Sequence, residues 1–183
     1  MRWIAILALA SSACGGLGYQ VDRDLLTEVS VENKLTLFDA ENDVSIALDE
    51  REQIRREIQQ VKQELKDTDK QIQEAVEDAE RAADKGDVER EKVAVMADEV
   101  VYLKQAFLGE QIGLLRERLS VQESYIYVAF AKYELAKAKL VKKNNVRGAQ
   151  DIDLEDFEAQ VDEYVEKAKE MNLDFAEYEK EVE

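Results

Sequence analysis

One thiol and no imidazole set the limits of what this chain can do chemically. Cys14 is the only cysteine in the 183 residues, and histidine is absent. No Ser-His-Asp or Cys-His nucleophile can be assembled, and no zinc site of Cys and His ligands. The carboxylates are many, 42 in all, but they fall on the polar faces of helical patterns and form no pair suited to acid–base work. The densest group, Asp151, Asp153, Glu155 and Asp156, invites a calcium reading. A calcium loop of the EF type needs a central Gly and a later bidentate Glu. That Gly is missing, and Leu154 and Phe157 open a helical pattern, so the acids read as caps for a helix N-terminus. The chain is therefore expected to be non-enzymatic, with no catalytic residue, metal, cofactor or small-molecule substrate. Cys14 remains as the residue with chemistry to offer, as an acceptor for a covalent group.

The elements that must position it are legible from composition. Pro is absent, Gly numbers only 7, and charged residues reach 37%. Scarce turn formers with abundant Ala, Glu, Lys, Leu, Gln and Arg predict a few long helices. The net charge of −17 lacks the basic footprint that nucleic-acid binding requires.

Around Cys14 the order of residues is specific. Arg2 precedes the apolar run Trp3–Ala10, and the small residues Ser11, Ser12 and Ala13 lead to Cys14, Gly15 and Gly16. This is the pattern of a secretory signal peptide over residues 1–13, with cleavage after Ala13. The run is about half of what a membrane-spanning helix needs. The segment resembles the lipobox of bacterial lipoproteins, although Ser11 stands where Leu is commonest in that family. The resemblance implies that Cys14 receives a diacylglyceryl group through its sulfur and a further acyl chain, palmitate among them, on its new amino group. It also implies, from Gly15 in place of a retention Asp, anchoring in the outer membrane in preference to the inner one, at the periplasmic face or the cell surface. A secreted protein starting with a free thiol is the alternative. Residues 14–21 are expected to be the lipidated Cys and its tether.

From residue 22 to 183 the sequence predicts one elongated helical domain. A first helix is expected over about 22–84, and its apolar seam from Ile54 through Ile58, Val61, Leu65, Thr68, Ile72, Ala75 and Ala79 to Ala82 alternates four and three without a break. Gly86 and Asp87 should end that helix and cap the next. The second, about 88–143, carries two stripes. Val93, Val100, Phe107, Leu114, Val121, Val128 and Leu135 form one, and Leu108, Ile112, Leu115, Leu119, Ile126 and Ala129 lead the other. Two stripes call for two partners. Past Asn144 to Gly148, a third helix, about 153–183, repeats the four-three spacing from Phe157, Val161 and Tyr164 to Tyr178 and Val182. The expected fold is all-α: a long antiparallel hairpin with a shorter third helix folding back on the base as a three-helix stalk. Val31, Leu35, Phe38 and Ile46 are expected to meet that third helix.

Two surface features suggest partners. Val95, Met96, Val101 and Tyr102 exceed what a two-helix arm must bury, and mark a possible interaction face near the tip. Lys139, Lys142, Lys143 and Arg147 gather basic charge at the end of the second helix. They compensate its dipole and pair with the acidic third helix, or touch anionic headgroups. The combined expectation is a membrane-anchored spacer, scaffold or docking arm of the cell envelope, binding an envelope protein or itself through helices. A periplasmic holdase with coiled-coil arms, or an accessory subunit of an envelope transport complex, is the alternative.

Overall fold

The computed structural model describes residues 16–182, with side chains through residue 180. The expected signal peptide, Ala13 and Cys14 lie outside the described residues. Within them there is no strand. The helices are α1 (Arg23–Thr27), α2 (Val31–Lys34), a 3-10 turn (Leu35–Leu37), α3 (Phe38–Asp84), α4 (Val88–Lys143) and α5 (Leu154–Val182). The fold is all-α, with the long helices packed on each other and α5 packed on them. No described helix is long and apolar enough to cross a membrane.

The helix ends have local causes. Gly86, at φ +66°, follows α3, and the Gly86 and Asp87 amides return to the Ala83 and Ala82 carbonyls at 2.9 and 3.0 Å. That is a Schellman termination, which needs a left-handed residue where Gly86 stands. Asp87 Oδ1 then accepts the Arg90 amide at 3.1 Å and caps α4. α4 stops in the same way, with Asn145 at φ 53° as the left-handed residue. Val146 returns its amide to the Val141 carbonyl at 3.1 Å, and both side chains enter one core cluster. Asp153 Oδ1 accepts the Glu155 amide at 3.0 Å, so the acidic cluster does cap α5.

The first helix is not continuous from residue 22. Asp22 caps α1 and Ser30 caps α2, so the chain restarts twice before α3. Each cap offers the backbone a local partner that competes with uninterrupted helix.

The chain divides into two compact units. The first joins the described residues up to Arg51 with Ser120–Ala176. Its core has two clusters. Val21, Val29, Leu37, Ala138, Leu140, Val141, Val146, Ala149 and Phe157 make one. Leu17, Val44, Ala47, Ile126, Ala129, Phe130 and Ala131 make the other, with Val161 and Tyr164 against it. Val141, Ala131 and Ala138 have no exposed surface at all. Burying each large apolar side chain here contributes about 1.5–3 kcal/mol. Val31, Leu35, Phe38 and Ile46 are exposed, contrary to the sequence expectation. The place beside α5 that they were expected to fill is taken by Leu17, Tyr19 and Val21.

The second unit comprises Glu52–Leu119 with the chain from Glu177 onward. It is an antiparallel hairpin, as its cross-helix pairs show: Glu57 with Arg118, Glu64 with Lys104, Asp69 with Gln105, Asp78 with Arg90. The predicted seam faces inward, with Ile54, Ile58, Val61, Thr68 and Ala82 buried. Its one large apolar cluster is Val61, Leu108 and Ile112, flanked by Leu65 and Leu115. Toward the turn the seam becomes Ala75, Ala79 and Ala82 against Ala94, which brings the two backbones close but buries little area. Gly113 meets the end of α5: a Cβ there would lie 3.2 Å from Tyr178 Oη, whereas nothing stands near Gly109.

Candidate functional site

Residues 17–22 have no regular secondary structure, yet with Gly16 before them they do not hang free as a tether. They form a strap held to the three-helix unit at four successive points. Tyr164 Oη on α5 donates to the Gly16 carbonyl at 2.8 Å. Leu17 is buried among Val44, Ile126 and Phe130. Gln160, also on α5, pairs with residue 19 as a neighbouring strand would. Its Oε1 accepts the Tyr19 amide at 2.7 Å, and its Nε2 donates to the Tyr19 carbonyl at 3.1 Å. Finally, the Val21 amide donates to Glu134 Oε2 on α4 at 2.9 Å.

Each holding side chain is itself fixed. Tyr127 and Tyr164 stack with centroids 5.6 Å apart and planes 13° from parallel. Their proximity explains Gly16, because a Cβ there would lie 3.1 Å from Tyr127 Cε1. Burial, then the Glu163 carboxylate, pushes the Tyr164 phenol above its usual range. The Tyr19 ring leans on Phe157 at 5.8 Å. Gln160 is buried with both polar atoms used, which leaves no unpaired amide in the core.

Glu134 is the strongest element of the clamp. Its side chain is 3% exposed, and Lys137 one turn away is 11% exposed; their charged ends are in direct contact. The second carboxylate oxygen takes the strap amide, so the buried charge is both paired and hydrogen-bonded. Lys137 Nζ also lies 4.8 Å from the centroid of the Tyr133 ring. Tyr133 Oη in turn donates to Glu41 Oε1 on α3 at 2.9 Å. Burial first, then that bond to Glu41, raises the Tyr133 phenol well above its ordinary value. The result is a polar line from α3 through α4 to the strap.

The expected base residues are placed differently from one another. Lys139 pairs with Glu158 of α5 at 2.9 Å, the compensating role. Lys142 and Lys143 lie in the last turn of α4, where they oppose the helix dipole, and Lys143 and Arg147 are exposed. Asn33 is exposed and donates to Asn144 Oδ1 across the unit. Of the expected tip face, Val95, Met96 and Tyr102 are exposed. Val101 is half-buried, in register with Ala94 and Leu108, and so belongs to the hairpin's inner seam.

Sequence reasoning left out Glu134, Gln160, Tyr127 and Tyr164 as a set. The signal was present: Glu134 and Lys137 are one turn apart in a stretch whose other charges, Lys132 and Lys139, are exposed, and Gln160 sits on the seam between Phe157 and Tyr164. Their partner is backbone of the strap, which has no side-chain signature.

Fold and site together define an all-α coiled-coil protein with its N-terminal strap clamped to a three-helix unit. No protein-family model matches this chain, and no curated protein or solved structure is similar to it.

Proposed function

We propose that the chain is an exported bacterial lipoprotein, acylated on Cys14 after cleavage behind Ala13, and attached to the outer membrane. It works without catalysis, as a helical spacer, scaffold or docking arm of the cell envelope. The observation that carries this reading is the clamp on the strap. Gly16, two residues after Cys14, is already held by Tyr164. Acyl chains contribute about 0.8 kcal/mol per buried methylene, and a strap so held passes that attachment to the helices with almost no slack. Exposed Lys143 and Arg147 support contact with anionic headgroups.

Intact mass of the protein from bacterial membranes tests the anchor. The expected mass is that of the chain from Cys14 plus acyl groups, abolished by Cys14→Ser. An unmodified mass from Cys14 onward overturns it. The apolar residues exposed on the hairpin favour a second reading, a holdase for unfolded clients. Suppressed aggregation of an unfolded outer-membrane protein would support that one.

A further inference from the structure

The α4 helix carries a second coiled-coil seam that none of the described residues covers. Val93, Met96, Val100, Leu103 and Phe107 follow one another at spacings of three and four, and each is between 63% and 73% exposed. The inner seam of the same helix runs through Ala94, Val101 and Leu108, so this is a separate face and not fraying of the hairpin. It has clear ends, because the next positions in the count are Glu89 and Glu110.

We propose that this face pairs with the same face of a second copy of this chain, the two helices running parallel. Two observations select that occupant. In heptad terms Val93, Val100 and Phe107 are a positions, while Met96 and Leu103 are d positions. Val93 and Val100 at a with Leu103 at d are the residue types that favour two strands in a parallel coiled coil. The flanking charges agree. Glu99 is a g residue and Lys104 the e residue five positions on, which face each other between chains only in a parallel pair. Lys104 already meets Glu64 of its own chain at 3.0 Å, and its ammonium has donors for both carboxylates. The antiparallel registers either set Glu99 and Lys104 against Ala106 and Ala97, or set Glu99 against its own copy. The pairing rests on the docking reading above but not on the lipid anchor.

Sedimentation equilibrium on the full chain, with Cys14→Ser to remove any acylation, tests this directly. The expected result is reversible association to twice the mass of one chain. Val100→Glu with Leu103→Glu should weaken it at least about tenfold, with helicity by circular dichroism unchanged because both residues are exposed. Lys104→Glu should weaken it about threefold to tenfold, and adding Glu99→Lys should restore it. Leu103→Cys in the same background should form a disulfide-linked dimer on oxidation. A monomer at all concentrations, association that survives the double Glu variant, or absence of the Leu103→Cys cross-link overturns the proposal. So does a monomer that captures an unfolded client on this face. Failure of the anchor reading would appear in the mass spectrum and leave this result untouched.

Discussion

The clamped three-helix unit and the hairpin unit are cut from the same long helices, yet they are stabilised in different ways. In the first, α4 is buried nearly all round, and polar side chains lock neighbouring elements together through Glu134, Gln160 and Tyr133. In the second, one modest cluster gives way to alanines, and the cross-helix ion pairs are exposed. Pairs of that kind contribute about 0–1 kcal/mol each. The comparison teaches that a heptad pattern alone does not fix how much a helix buries: the number of neighbours does. It also separates two roles. The unit nearest Cys14 in sequence spends its surface on fixing the strap, and the hairpin leaves its surface for contact with others.

The sharpest way to break this contrast is Glu134→Ala. It strands Lys137 in the core and frees the Val21 amide, so it should destabilise the first unit by about 3–5 kcal/mol. Hydrogen exchange should report the loss at residues 126–141, with residues 88–107 little changed. Equal loss in both would mean that the two units do not have separate stabilities. Gln160→Ala should cost less, about 1–3 kcal/mol for two lost bonds to the strap. Protease cutting within residues 16–21 should rise, measured by mass spectrometry of the fragments. If the strap stays protected, the amide clamp is incidental.

Tyr133 gives the smallest effect and the most specific one. Its phenol loses a proton in the unfolded chain near its ordinary value of about 10, but only at higher pH in the fold. The stability from this group is therefore fully present below about pH 10 and falls as pH rises past it. Tyr133→Phe should cost about 1 kcal/mol at neutral pH and flatten that alkaline decline in denaturant melts. A decline of unchanged steepness would place its origin elsewhere.

The sequence by itself determined α4 and α5 almost to the residue, and the end of α3, because a four-three apolar count and the stop signals at Gly86, Asp87 and Asp153 are local. It missed the start of α3 at Phe38, where the caps at Asp22 and Ser30 break the helix expected from residue 22. It determined equally that no histidine or paired cysteine chemistry is open to this chain. The inner seam from Ile54 to Ala82 was legible for the same reason. The tertiary structure alone decided which apolar stripes find partners. Val31, Leu35 and Phe38 look in sequence as fit for burial as Leu37 and Val44, but only the latter two are covered. Periodicity states which residues share a face, and is silent on what lies opposite. The strap shows the same limit: Leu17, Tyr19 and Val21 alternate with Gly18 and Gln20 over too few residues to announce an element, and the hydrogen bonds that hold it to α4 and α5 run through backbone groups that every residue possesses. Long-range pairing of backbone with side chain has no mark in a sequence, and appears only when the chain is folded.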